Sequence, residues 1–296
     1  MTLRDSSDMA LTERPNAASA GLETLGTRQI LELMNAEDAR VAAAVADQLE
    51  PITAAVDAIV SRVRAGGRLI YLGAGTSGRL ATMEAAEVPP TFGVPPGMVV
   101  GLIAGGTDAV RAAREGAEDD TAGGATEVRR LDVGERDALV GVSASGRTAF
   151  VLAAVAEARS RGAVTIGVCC DDRAPLAEVT DIPICTVVGP EVLAGSTRLK
   201  AGTAQKLVLN MLTTAAMIRL GRVRGNLMID VRPTNVKLRE RARRIVIDIS
   251  GANDAEVDAA LTATGWSARA AVLVLTKGLT ADEALSAADQ LPGTRT

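Results

Sequence analysis

Two glycine-rich turns carrying hydroxyls, and two groups of carboxylates, are the residues of this chain whose types and spacing can do chemistry. The first turn, Gly73-Ala74-Gly75-Thr76-Ser77-Gly78, follows the apolar run Arg68–Leu72 and opens a helical stretch. Its backbone N–H groups and the Thr76 and Ser77 hydroxyls suit an anion held at a helix N-terminus. The second turn, Ser143-Ala144-Ser145-Gly146-Arg147-Thr148, follows Ala138–Val142 and repeats the order of strand, hydroxyl-rich turn and helix. Ser143, Ser145 and Thr148, with the N–H groups around Gly146, can surround three phosphate oxygens. Either turn alone could be an ordinary strand–helix connection with a serine cap. Two in one parallel sheet would open onto a common crevice at the carboxyl ends of the strands. Walker A is absent, and the turns read as sugar-phosphate rather than dinucleotide sites.

The carboxylates are Glu84 and Glu87, three residues apart on one helix face, and the cluster Glu115, Glu118, Asp119 and Asp120. Pro89-Pro90 is expected to stop the helix that carries the first pair. Spacing does not tell which two carboxylates face each other across a pocket, and solvated helix faces account for most such residues.

Absences narrow the chemistry. The chain has no histidine, which removes Ser–His–Asp and Cys–His nucleophilic sites, imidazole acid–base catalysis and histidine-ligated metals. Proton transfer must then fall to Glu, Asp, Lys, Tyr or Cys. Cys169, Cys170 and Cys185 lie in apolar runs and give no zinc spacing or disulfide framework; Cys169 and Cys170 should point to opposite faces of a strand. The four aromatic residues, Tyr71, Phe92, Phe150 and Trp266, are too few for base stacking, and a net charge of −4 disfavours a nucleic-acid partner. A small phosphate is still compatible with that charge. No window reaches the run of about 18 uncharged apolar residues that spans a bilayer. The charged N-terminal stretch lacks a secretory core, so a cytoplasmic protein is expected.

The elements that must position these groups can be read from periodicity. Apolar residues recur at helical spacing from about Thr27 to Ala65, with Pro51 as a break or a new start. Short apolar runs at 68–72, 98–103, 138–143, 163–169 and 182–188 then alternate with alanine-rich helical stretches. This pattern predicts an α/β fold: a doubly wound, mainly parallel five-stranded sheet with helices on both faces. A long helix follows over roughly Ser196–Arg219, then an ordered loop or short strand over Gly221–Asn235, then helices from about Lys237. The expected division is an N-terminal helical segment over 1–60, a sugar-phosphate domain over 61–222 and a C-terminal helical region over 223–296. Within the last, a three-helix unit is expected over about 247–296, with Trp266 as a core or docking residue.

Several runs carry a resemblance: TERPNAAS near the N-terminus, YLGAGTSGRL, EVPPTFG, GLIAGG, EGAEDD, SASGRT, STRLKAGTAQKLVLNML and GNLMIDV. In this order, from about residue 12 to 235, the chain resembles the N-acetylmuramic acid 6-phosphate etherase family, within the sugar isomerase (SIS) superfamily. The helical tail is similar to that family's small C-terminal helical domain. The resemblance implies cleavage of a lactyl ether to N-acetylglucosamine 6-phosphate and D-lactate, a cell-wall amino sugar recycling step. It also implies a phosphorylated amino sugar as substrate, a homodimer, no cofactor and no metal.

By the same resemblance, Glu87, before Val88-Pro89-Pro90, and Glu118, the later glutamate of EGAED, correspond to the catalytic pair, leaving Glu84 and Glu115 as bystanders. Glu87 is then the proton donor and Glu118 the base. Thr76, Ser77, Ser143, Ser145, Gly146 and Thr148 are the expected phosphate and sugar contacts, the second turn being the better phosphate site. Glu191 lies near a catalytic position of related isomerases and is included as a substrate-site residue. Lys200 and Lys206 could add positive charge. Two departures from the family pattern are Ala86-Glu87-Val88, where Ser-Glu-Cys is common, and Ala149, where a proline often follows SGRT. An aldose–ketose isomerase would not need the second glutamate for a leaving group. A non-catalytic sugar-phosphate regulator would usually add a basic DNA-binding helix pair, which the N-terminal helices do not offer.

Overall fold

A computed structural model describes residues 9–290. After three single 3-10 turns between Leu11 and Thr24, the chain forms α1 (Thr27–Asp38), α2 (Val41–Ala46) and α3 (Leu49–Arg64). The sheet region follows as β1 (Leu69–Gly73), α4 (Gly75–Phe92), β2 (Val99–Ile103), α5 (Asp108–Arg111), α6 (Thr121–Arg130), β3 (Ala138–Val142), α7 (Ala149–Ser160), β4 (Val164–Cys169), α8 (Pro175–Val179) and β5 (Ile182–Cys185). The long helix α9 (Lys200–Arg219) closes it. Four further helices are α10 (Val236–Ser250), α11 (Asp254–Ala263), α12 (Ala268–Lys277) and α13 (Ala281–Ala288).

The five strands are all parallel, in the order β2-β1-β3-β4-β5. Every residue of β1 and β3 is buried, as expected of parallel strands covered on both faces. Alternate residues feed two layers. Leu69, Tyr71, Val140, Val142, Ile166 and Ile184 pack with α2, α3, α4 and α9. Ile70, Leu72, Leu139 and Cys169 pack with α6, α7 and α8 on the other side. Cys170 joins the first layer and Cys169 the second, the opposite-face arrangement expected of adjacent residues in a strand. Each buried Leu, Ile or Val contributes about 1.5–3 kcal/mol of transfer free energy.

Pro51 lies in the first turn of α3, where a missing N–H costs nothing. Pro89-Pro90 behaves differently from the expectation. The helix continues through both prolines to Phe92 and ends only at Gly93, whose φ of +65° allows the left-handed cap and whose N–H bonds the Pro89 carbonyl. A proline φ near −65° fits a helix; the cost is the lost N–H and crowding of the carbonyl four residues back. Gly93 also sits against the Asp230 carbonyl, which a Cβ would approach to 2.2 Å, so α4 ends where the C-terminal segment crosses it.

The C-terminal helices have their own apolar cluster, built on Ile245, Val246, Leu261, Ala271 and Val272, with Ile229 and Val231 from the preceding segment. The helix α10 shares this core with α11 and α12, and α13 packs on α12. Trp266 packs against it in a left-handed conformation, φ +67°, with the Arg239 guanidinium 5.3 Å from the ring centroid. No helix among the described residues is long and apolar enough to cross a membrane.

Candidate functional site

The strand order changes direction at β1, whose neighbours are β2 and β3, and this is where open α/β sheets bind ligands. Gly73 of β1 is in register with Val142 of β3, so the two hydroxyl-bearing turns leave the sheet side by side. Thr76 and Ser77 lie in the first turn of α4, where backbone N–H groups have no helical acceptor. Thr76 is half-buried; Ser77 is buried and its hydroxyl donates to the Gln205 side-chain oxygen of α9 at 2.9 Å. The buried Gln205 amide nitrogen has no partner. Gly73, Gly75 and Gly78 fall at G-x-G-x-x-G spacing, the spacing of a dinucleotide turn. That motif also uses an acidic residue near the end of the second strand, and β2 runs out into Ala104-Gly105-Gly106-Thr107.

The second turn is held by its own side chains. Ser143 Oγ lies 2.8 Å from Thr148 Oγ1 and accepts the Gly146 N–H at 3.1 Å, while Ser145 Oγ accepts the Arg147 N–H at 3.2 Å. Gly146 takes φ +62°, and a Cβ there would stand 2.4 Å from that of Ala174. Thr148 is the N-cap residue of α7. Arg147, on the exposed side, reaches the buried Asp171 at 3.6 Å. Burial pushes the Asp171 carboxyl up, but the Arg173 and Leu11 N–H groups and the Arg147 and Arg173 charges win, and it is held below the usual range.

The N-terminal end of α9 closes the same region. Thr76 lies 3.5 Å from where a Cβ on Gly202 would be. Glu191 is fully buried and both of its oxygens accept α9 backbone N–H groups, from Lys200 at 3.0 Å and Ala201 at 2.9 Å. Burial still raises its carboxyl above the ordinary range, against those hydrogen bonds and the Lys200 charge. Lys200 is buried too, with Nζ 2.5 Å from Glu37 Oε2. Asn16, of the TERPN run, donates to that same oxygen at 2.9 Å and to the Pro190 carbonyl at 3.1 Å. The N-terminal residues thus lock Glu37, Glu191 and α9 into one buried assembly. Sequence reasoning named Glu191 and Lys200 separately but did not bring them together with Glu37 and Asn16, because nothing in the spacing of these residues shows that they meet.

The two carboxylates expected to act together are placed at different ends of α4. Glu118 is exposed on a 3-10 turn, Ala117–Asp119, and lines a cavity of 180 Å³ with Ala74, Gly75, Arg79 and Arg114. It therefore faces the first glycine turn. Glu115 lines the same cavity. Glu87 is exposed in the later half of α4, twelve residues beyond Gly75, about 18 Å along the helix axis at about 1.5 Å per residue. Glu84 is half-buried one turn before Glu87 and faces α9.

Comparisons with known proteins fit this geometry. Residues 51–159 match the family described as the glucokinase regulatory protein N-terminal SIS domain, and residues 122–215 match the SIS domain. Two solved phosphoheptose isomerases share the fold at TM-score 0.50. The one from Francisella tularensis is 19% identical, covering 67% of this chain and 98% of that one; the one from Neisseria gonorrhoeae is 21% identical, covering 64% and 99%. Curated relatives are much nearer in sequence. The N-acetylmuramic acid 6-phosphate etherase of Rubrobacter xylanophilus is 56% identical over 93% of this chain and 91% of its own length. That of Streptomyces coelicolor is 52% identical over 92% and 88%. With this identity over nearly its whole length, and an all-parallel SIS-type sheet beneath it, the chain belongs to the N-acetylmuramic acid 6-phosphate etherase family.

Proposed function

We propose that this protein cleaves the D-lactyl ether of N-acetylmuramic acid 6-phosphate, giving N-acetylglucosamine 6-phosphate and D-lactate. The observation that carries the reading is the register of Gly73 with Val142, which sets two hydroxyl-bearing helix N-termini beside each other with Glu118 facing the first. The second turn, with Ser143, Ser145, Gly146 and Thr148, holds the 6-phosphate. Its backbone N–H groups and the α7 N-terminus favour the anion. Thr76 and Ser77 at the first turn face the sugar.

In the open-chain sugar the C1 aldehyde acidifies C2–H, and the ether oxygen on C3 is β to that carbonyl. Glu118 removes the C2 proton as the C3–O bond breaks, and Glu87 gives a proton to the departing lactate oxygen. A C2=C3 double bond conjugated with the aldehyde results. Water then adds across the double bond: Glu87 takes a proton from it as its hydroxide joins C3, and Glu118 returns a proton to C2, which restores both carboxyls. Each acid–base role is worth about 10²–10⁴ in rate. Ser77, being hydrogen-bonded to Gln205, fixes the turn as much as it contacts substrate.

The placement of Glu118 beside the first turn of α4, and of Glu87 in its later half, supports a site shared by two chains. Glu118 lines the cavity at the first turn of α4, while Glu87 lies about 18 Å further along the helix axis and does not line that cavity. A homodimer in which Glu87 comes from the second copy resolves the separation. Mixing Glu87→Gln and Glu118→Gln chains under conditions that exchange subunits tests this. Half of the dimers are then mixed, each with one intact site, so activity returns to roughly a quarter of wild type. Failure of the inactive variants to complement would place both glutamates in one chain.

A further inference from the structure

Cys169 and Cys185 stand side by side at the carboxyl ends of β4 and β5. They are partners in the register of the two parallel strands, which places their Cα atoms about 4.8 Å apart, within the range a disulfide spans. Their sulfurs lie 3.4 Å apart, and both thiols are free. The two differ in access. Cys169 is fully buried, whereas Cys185 is half-buried on β5, the last strand of the sheet. Cys170 faces the opposite layer, where its sulfur meets Thr186 Oγ1 at 3.5 Å and the Ala201 carbonyl at 3.9 Å.

Reactivity follows the same division. The Cys169 thiol hydrogen-bonds the Cys185 sulfur and holds the Cys185 thiol below its ordinary range, against partial burial and the Asp172 and Asp171 charges. Burial pushes the Cys170 thiol up to about 12, which leaves it inert near neutral pH. A partly exposed thiolate beside a second, resolving thiol is the arrangement on which peroxide acts.

Cys169 is also joined to the second turn. Ser143 donates its N–H to the Val168 carbonyl at 3.0 Å, and Cys170 donates its N–H to the Ala144 carbonyl at 2.9 Å, one on each side of Cys169. A Cβ at Gly146 would stand 3.3 Å from the Cys169 Cβ, so the turn rests on this residue. A disulfide bond is about 2.05 Å long, so closing one here draws the sulfurs together by about 1.4 Å. The ends of β4 and β5, and the turn held by β4, must take up that movement.

We propose that Cys169 and Cys185 form a modification site for peroxide, which joins them as a disulfide and thereby weakens the hold of the second turn on its phosphate. The second half rests on the proposed phosphate role of that turn. The Cys185 thiolate attacks one oxygen of hydrogen peroxide, the O–O bond breaks, and the departing hydroxide takes up a proton. The Cys169 sulfur then displaces hydroxide from the Cys185 sulfenic acid as its own proton leaves, and the S–S bond forms. Two thiols and one peroxide become one disulfide and two waters, with two electrons passing from sulfur to oxygen. A dithiol reductant reverses the change.

The test treats the reduced, full-length protein with hydrogen peroxide and counts thiols after denaturation. Wild type should fall from three free thiols to one, and Cys170→Ala from two to none, each with its mass lower by two hydrogens. Cleavage after Arg173 separates the pair, so peptides 162–173 and 174–198 should stay joined until reduced. Peroxide should raise KM for the phosphorylated substrate about two- to tenfold, the effect of weakening one hydrogen bond, and dithiothreitol should restore it. Cys185→Ala should keep both of its thiols, and its KM should not respond. Inorganic phosphate, titrated calorimetrically, should lose affinity by a similar factor, a reading that needs no turnover and so stands apart from lactate release. Three thiols surviving peroxide, oxidation of Cys185 alone to a sulfinic acid, or a bond between Cys169 and Cys170 overturns the site. A disulfide that leaves KM and phosphate affinity unchanged overturns its link to the turn. Thiol counts in wild type and Cys170→Ala decide the site even where Cys185→Ala folds poorly.

Discussion

Lys200 and Glu37 meet inside the protein, Nζ to Oε2 at 2.5 Å, with each side chain almost wholly buried. Neither charge is tolerable there without the other, because removing one partner leaves an uncompensated buried ion. Lys200→Met should lower stability by about 3 kcal/mol or more, read as a lower urea midpoint with an unchanged slope. Glu37→Gln in the same chain should recover part of that loss. An unaffected midpoint in the single variant would show that Arg40, 3.3 Å from Glu37 Oε1, and Asn16 satisfy the carboxylate without Lys200.

Acid should unfold the protein through a small set of carboxyls. Burial pushes Glu37 and Asp137 up, but Lys200 and Asn16 outweigh it for Glu37, and Arg68 and the Gly134 N–H outweigh it for Asp137, so both are held below their ordinary values of 4.5 and 3.8. A carboxyl whose folded value is depressed contributes stability that is present above its unfolded value and lost as pH falls through the folded one. The stability that these two carboxyls contribute should be fully present from pH 7 down to about pH 5 and be lost below about pH 4. Asp137→Asn should remove about 2 kcal/mol at pH 7 and flatten the acid limb, followed by chemical denaturation at each pH. A variant with the same acid limb as wild type would remove Asp137 from the account.

The second turn allows a different kind of test at Gly146. An alanine there meets both a positive φ and the Ala174 Cβ at 2.4 Å, so the turn must shift. Gly146→Ala should raise KM for the phosphorylated substrate at least about tenfold, by spoiling N–H groups aimed at the phosphate, and cost about 1–3 kcal/mol of stability. Steady-state kinetics beside thermal unfolding separates the two effects. A KM unchanged in a folded variant would move the phosphate away from this turn.

The sheet was largely legible in the sequence because strands buried on both faces read as short unbroken apolar runs, and Leu69–Gly73 and Ala138–Val142 lie within a residue of their expected places. The turns were legible for the same reason: they follow those runs. What lay hidden depended on the third dimension. Pro89-Pro90 looked like a stop, yet a proline only removes an N–H and crowds a carbonyl, and Gly93 is the residue that ends α4. Glu191 looked available to substrate, while its burial against the Lys200 and Ala201 N–H groups follows from how α9 returns to the sheet. Glu84 looked like a twin of Glu87, and only the packing of α4 on α9 separates an anchored carboxylate from an exposed one.

The central claim is tested most directly by incubating the purified protein with N-acetylmuramic acid 6-phosphate and measuring D-lactate. Wild-type protein should release one lactate for each N-acetylglucosamine 6-phosphate formed, and Glu87→Gln and Glu118→Gln should each slow this by about 10²–10⁴. Absence of lactate from folded wild-type protein, or full-rate release by either variant, would contradict the account.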